Sequence, residues 1–195
     1  MTDGLVDFRE GHWLNRPEVL AQEADELRLR TGEGGDFWRE THYGFVHASG
    51  HALLHDMPER FAAELRFEGR FAAKYEQAGL LLWESETRWI KAGVEYADGR
   101  PNLAVVVTDG RSDWSMAPAD PEVTEWRLRM TVTGAAVIAH ARGAEDWQIL
   151  RVSGFTPRGA VRLGPMACSP LGAGLEVCFR DMTVGPVPED PLYLG

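Results

Sequence analysis

Between Thr87 and Ala97 the chain alternates Ile90, Ala92, Val94 and Tyr96 with Trp89, Lys91, Gly93 and Glu95, and then turns at Asp98-Gly99. Period two is the repeat of a β-strand with one apolar and one mixed face. Asp tolerates, and Gly favours, the positive φ of a tight hairpin turn. Folding the next run back about that turn sets Leu103, Val105 and Val107 opposite Val94, Ala92 and Ile90, while Asn102 and Thr108 join the face of Lys91 and Glu95. Two strands thus agree on which side is core, and their other side carries polar residues.

The residues before this hairpin add a third strand. Glu84-Ser85-Glu86-Thr87 is a polar break between hydrophobic runs, and its loop length sets the register. A two-residue loop brings Glu76 opposite Glu95, and a loop one residue longer brings Gln77 there. Either register predicts an acidic cluster around Glu95, with Lys91 as a neighbour roughly 13 Å along the same strand face. After the hairpin, Ser112-Asp113-Trp114-Ser115 reads as a corner and residues 116–121 as a Pro-containing loop.

The rest of the chain repeats strand signals. Phe61, Ala63, Leu65, Phe67 and Phe71 alternate with Arg60, Glu64, Arg66, Glu68 and Arg70, a strand with a charge-striped, solvated face. Further strands read at 126–132, 136–142, 147–152, 160–168 and 174–184, with turns at Thr133-Gly134, 142–145 and 157–159. Leu27 to Arg30 reads as a strand, whereas Glu18 to Leu27 also fits helical spacing, and Asp36 to Phe45 is a dense aromatic and charged run. Short strands at such spacing, with hardly any helix, predict an all-β fold: two antiparallel sheets in a jelly-roll sandwich.

Composition agrees with one domain over residues 1–195, because 44% hydrophobic content at this length supplies a full core. Thirty acidic against twenty basic residues give a formal charge of −10, and without a segregated basic run this opposes nucleic acid and anionic membranes as partners. The start MTDGLVDF lacks the segments of a signal peptide, and the aliphatic run 103–107 is too short to cross a bilayer, so a cytoplasmic location is expected. A hairpin at Pro170-Leu171-Gly172 pairs Cys168 with a residue near Leu175, leaving Cys168 and Cys178 unbridged, as in a reducing compartment.

Several motifs, in order, resemble a known family. They are Trp13-x-Asn15-x-Pro17, Asp36-Phe37-Trp38-Arg39, Thr41-His42-Tyr43-Gly44-Phe45, Gln77-Ala78-Gly79-Leu80, residues 89–96, Ser112-Asp113-Trp114-Ser115, and Cys168-Ser169-Pro170 with Gly174. Together they resemble the regulation-of-enolase-like proteins, a largely uncharacterised family of the concanavalin A-like lectin/glucanase superfamily. The resemblance implies two packed antiparallel sheets, one of them concave. Two positions depart from the family pattern: Glu76 stands where Asp is usual, and Arg16 where Glu is usual.

Glycoside hydrolases of that superfamily often carry Glu-x-Asp-x-x-Glu on one strand, which this chain lacks. Glu95 and Glu76 are the candidate catalytic pair, since in the shorter register two carboxylates face each other and one pKa rises. Lys91 reads either as their neutralising cation or as a ligand contact. His47, His51 and His55 lie near Asp56 across a probable Ser49-Gly50 hairpin, but this spacing does not fix a tetrahedral metal set. Neither a metal nor another cofactor is expected.

Of seven tryptophans, Trp89 and Trp114 are the two expected to be partly exposed. Indole faces stack on sugar rings and also fill sandwich cores. The expected ligand-binding set is Trp38, His42, Glu76, Gln77, Trp89, Lys91, Glu95, Thr108, Ser112, Asp113 and Trp114. Its expected partner is a carbohydrate or small polar metabolite, with a protein partner as the alternative.

Overall fold

The computed structural model describes residues 4–143 and 146–193, so residues 144 and 145 of the expected 142–145 turn lie outside the described residues. The strands in chain order are β1 Gly4–Leu5, β2 His12–Leu14, β3 Glu18–Gln22, β4 Glu26–Arg30, β5 Phe37–Arg39 and β6 Val46–Ala48. Next come β7 His51–Asp56, β8 Phe61–Gly69, β9 Gln77–Ser85, β10 Arg88–Ala97, β11 Arg100–Asp109 and β12 Arg111–Pro118. The last are β13 Glu125–Val132, β14 Val137–Arg142, β15 Gln148–Ser153, β16 Arg162–Cys168 and β17 Glu176–Gly185. Among the described residues the one helical element is a 3₁₀ turn at Phe8–Glu10.

Two antiparallel sheets form the expected sandwich. One runs β15-β14-β13-β8-β17-β4-β3 with β1 beside β17, and the other β12-β11-β10-β9-β16-β7-β2. Between them lies the main core, to which β8 gives Phe61, Leu65 and Phe67, β9 gives Leu80 and Leu82, β10 gives Ile90 and Val94, and β11 gives Leu103 and Val105. These are the positions that period-two alternation turns to one side. The stretch 18–27 holds β3, the turn after it and the start of β4, not a helix: β3 and β4 pair as a hairpin, which lets Leu27 and Leu29 enter the core fully buried.

The central hairpin has the expected register. Asp98 and Gly99 both take positive φ, 54° and 76°, so β10 and β11 pair Ile90 with Val107, Ala92 with Val105 and Val94 with Leu103. On the other flank Ser85 pairs with Arg88 across Glu86-Thr87, and an irregularity between Arg88 and Trp89 then shifts the ladder so that Gln77 faces Glu95. Such a bulge adds one residue to one strand. A two-residue turn therefore yields the register of the longer loop.

Two other expectations change. The Ser112–Ser115 segment is not a corner, and residues 116–118 are not loop: both belong to β12, the edge strand paired with β11 from Asp109–Arg111 to Asn102–Pro118. Nor does a hairpin join β6 to β7. β6 pairs with β5, whereas β7 lies between β16 and β2.

The β5–β6 hairpin lies over the outer face of the seven-stranded sheet. Phe37 and Trp38 pack there against Leu81, Trp83, Trp89 and Val106, a second apolar cluster separate from the main core. Ser112 Oγ accepts the Arg39 N–H at 2.9 Å, and Gly110 O accepts Arg39 Nε at 3.1 Å, tying β5 to the sheet edge. At the other end Asn15, at φ 53°, donates its side-chain amide to Ala48 O (2.7 Å) and Gly50 O (2.9 Å). The segment leading into β5 is anchored by Ser169, whose O accepts the Gly34 N–H at 3.0 Å and whose hydroxyl meets that of Thr31 at 2.7 Å.

Candidate functional site

Because the hairpin covers only part of that outer face, it leaves a cavity of about 310 Å³ beneath and beside it. Its floor is the mixed face of the central strands: Gln77 from β9, Lys91 and Glu95 from β10, and Val106 from β11. The hairpin supplies Trp38, Tyr43, Phe45 and His47, and Tyr75 and Trp114 complete the aromatic lining, with Gly34, Pro170 and Leu171 also facing it. Trp38 meets Trp114 edge-on at 6.3 Å and Tyr43 at 5.7 Å, and Tyr43 stacks on Phe45 at 5.2 Å. Trp114, Trp38, Tyr43 and Phe45 thus form a continuous run of ring contacts, an arrangement aromatic quadrupoles favour. Interaction with the Tyr75 phenol raises the Tyr43 pKa.

The polar floor is unusual for its burial. Gln77, Lys91 and Glu95 are 5%, 3% and 5% exposed. Lys91 Nζ donates to Asp36 Oδ1 at 3.0 Å, and the same oxygen accepts the Phe37 N–H at 2.7 Å. Burial works against the Lys91 charge, but Asp36 and its other neighbours outweigh it and raise the pKa. Lys91 also lies 6.0 Å from the Trp89 ring centre. By contrast, the Glu95 carboxylate and the Gln77 amide hydrogen-bond to no side chain or backbone group among the described residues. Burial pushes the Glu95 pKa up to about 7, against the opposing pull of Lys91, and Asp36 adds to the rise.

The residues expected to form the site divide into groups. Trp38, Gln77, Lys91, Glu95 and Trp114 line the cavity together. His42, Ser112 and Asp113 line an adjoining depression behind Trp38, Tyr43 and Trp114. There Asp113 is ion-paired with Arg151. The indole N–H of Trp114 is buried without a partner among the described residues.

Three residues do not face the cavity as expected. Thr108 is fully buried, its hydroxyl 2.9 Å from that of Ser112, so it braces β11 against β12. Trp89 does lie on the Lys91 face but is 0% exposed, because Phe37 of the hairpin packs 6.0 Å above it. Glu76 precedes Gln77 and so projects to the opposite side of the strand. Its Oε2 accepts the N–H groups of Ala72 and Ala73 at 2.6 and 3.0 Å, so the expected acid–base pair with Glu95 is not formed.

Asp36, and not Glu76, is the acidic neighbour of Lys91 and Glu95. The sequence signal for it is twofold: a buried ammonium requires a nearby anion, and Asp36 heads one of the ordered motifs. Tyr43, Phe45, His47, Tyr75 and Leu171 also line the cavity from outside the expected set. The histidines near Asp56 go separate ways: His47 lines the cavity, His51 bridges Asn15 O (2.6 Å) and Gly32 N (3.0 Å), and burial lowers the His55 pKa. Cys168 and Cys178 are both free and buried, in different sheets.

Comparison with known proteins agrees with this architecture. The chain is 37% identical over 180 residues to "Regulation of enolase protein 1" of Saccharomyces cerevisiae, covering 92% of this chain and 91% of that one. A crystal structure of a functionally unknown Saccharomyces cerevisiae protein superposes with a TM-score of 0.89 at 35% identity, over 95% of this chain and 100% of the other. The GH43 protein BlXynB of Bacillus licheniformis superposes with a TM-score of 0.67 at 16% identity, over 90% of this chain but 38% of that one. An engineered GH43 glycoside hydrolase gives 0.70 at 16% identity over 96% and 41%. At such identity the last two show the fold alone, a concanavalin A-like β-sandwich. The model of a family of proteins of unknown function, DUF1349, matches residues 13–187, and the chain belongs to that family.

Proposed function

We propose that this protein binds a small polar ligand, a carbohydrate or sugar-derived metabolite, in the cavity between the β5–β6 hairpin and the seven-stranded sheet. The observation that carries this reading is the floor: Glu95 and Gln77 are at least nine-tenths buried and line the cavity, yet their side chains make no hydrogen bond to the described residues. Polar groups that open onto a cavity with their hydrogen-bonding capacity unspent by the protein are available to a ligand, the few convergent polar groups that fix orientation in an otherwise apolar pocket. Ring faces beside hydrogen-bonding groups suit a sugar, whose C–H faces stack while its hydroxyls seek partners. A thermal-shift screen of sugars and metabolites, joined to a glycan array, tests this, and a screen returning no sugar would overturn it.

A second reading rests on the cavity rim. Tyr43, Phe45 and Leu171 are 49%, 41% and 67% exposed, with Val46 beside them at 48%, an apolar edge suited to a protein partner. The name of the yeast relative points to regulation of another protein. Affinity capture with wild type and Trp114→Ala separates the readings, since a specific partner lost in the variant supports the second. Among the described residues no helix is long and apolar enough to cross a membrane, and with two free cysteines a cytoplasmic location is the fitting one.

A further inference from the structure

The charge of the cavity narrows the ligand. Among the described residues lining it, Lys91 is the sole lysine or arginine, and its ammonium is engaged by Asp36 at 3.0 Å. Against that one cation stand two acidic side chains, Asp36 and Glu95, and Glu95 is the one without a hydrogen-bond partner among the described residues. Among the lining side chains an anionic ligand finds no lysine or arginine that is not already paired, and it meets Glu95; a further cation, Lys74, is seated over the Tyr75 ring at 4.7 Å. A cation finds a carboxyl group with no hydrogen-bond partner among the described residues, and its charge favours the ionised form of that group.

The lining points the same way. Trp38, Tyr43, Phe45, Tyr75 and Trp114 present aromatic rings to the same space. The electron-rich ring face attracts ammonium groups, and aromatic residues around a carboxylate are a recurring way of holding them. The formal charge of −10 favours approach of a cation as well.

Resting on the reading of this cavity as a sugar-type site, we propose that its ligand is an amine-bearing polyhydroxy compound, an amino sugar or close derivative. Its protonated nitrogen lies against Glu95 and within the aromatic lining, and its hydroxyls meet Gln77. Burial raises the Glu95 pKa, and a bound cation reverses that effect by favouring the ionised carboxylate.

A charge series on the wild-type protein tests this without relying on any variant to fold. Glucosamine, glucose, glucuronate and tetramethylammonium are titrated by calorimetry at pH 7 and low salt. The expected result is glucosamine binding at least tenfold more tightly than glucose, no detectable glucuronate binding, and loss of most of that preference in Glu95→Gln. Glucose or glucuronate binding as tightly as glucosamine would overturn the cation assignment and leave the sugar reading intact. Tetramethylammonium binding without either uncharged or amine-bearing sugar would retain the cation and overturn the sugar reading. Binding of none of the four would overturn the amine assignment.

Discussion

Lys91 Nζ lies 3.0 Å from Asp36 Oδ1, joining β10 of the seven-stranded sheet to the start of a hairpin that covers it. The two residues are separated by 55 positions in sequence. This pair holds the hairpin over the sheet and uses up the positive charge of the cavity floor, leaving Glu95 to face the ligand space. Breaking a buried pair strands a charge. Asp36→Ala is therefore expected to lower unfolding free energy by about 3 kcal/mol, the low end for a buried pair because Glu95 is nearby. The double variant Asp36→Ala/Lys91→Met should recover much of that loss in urea denaturation.

Glu95 should leave a signature in the pH dependence of stability. Its folded pKa is raised from 4.5 to about 7, so between those values the folded state holds a proton that the unfolded state has released. Stability from this group is therefore lost as pH rises through that window. Glu95→Gln removes the loss. Relative to wild type it should gain on the order of 3 kcal/mol between about pH 5 and 7, and the difference should level off above. His55 and His140, whose pKa values burial lowers, act with the opposite sign, but they are common to both proteins and cancel in the difference. Denaturation midpoints of the two proteins at several pH values provide the check.

The closeness of the central strands is itself a requirement of the site. Gly79 and Gly93 face each other across β9 and β10, and a Cβ on either would lie 2.7 Å from Gly93 Cα or 2.9 Å from Gly79 Cα and would overlap backbone oxygen. Gly93→Ala is expected to cost about 1–3 kcal/mol, as overpacking does. It should also weaken ligand binding, since Lys91 and Glu95 flank that position on the same face. Chemical denaturation and calorimetry together test both effects.

The hairpin should depend on its remote clamp. Asn15 donates to Ala48 O and Gly50 O, so Asn15→Ala removes two hydrogen bonds that fix the return of β6 into β7. An expected loss of about 1–2 kcal/mol should be accompanied by faster amide exchange in residues 36–50, with β13 and β8 unaffected. Equal acceleration throughout would mean that the residue supports the whole fold and not the hairpin.

Much of the sandwich is legible in the sequence because its signals are local. Alternation around Ile90 and the Asp98-Gly99 turn specify β10 and β11 with their register, and the same pattern finds β8 and β13 to β17. The β9 register stays open between two choices, because it depends on a bulge that no residue type announces. What escapes is whatever depends on a segment distant in sequence. β5 and β6 have three residues each, too few to alternate visibly, so their position over Trp89 cannot be read from the chain. Alternation alone therefore leaves Trp89 exposed and matches Lys91 to Glu76, when the hairpin buries the first and supplies Asp36 to the second.

The most direct test of the cavity as a ligand site is a crystal structure with the strongest hit of the sugar and amine screen. The expected result is density bounded by Glu95, Gln77 and Trp114, with a ligand nitrogen or hydroxyl within hydrogen-bond distance of the Glu95 carboxylate. The same hit seated elsewhere on the surface, with the cavity holding only water, would contradict a ligand role for this cavity.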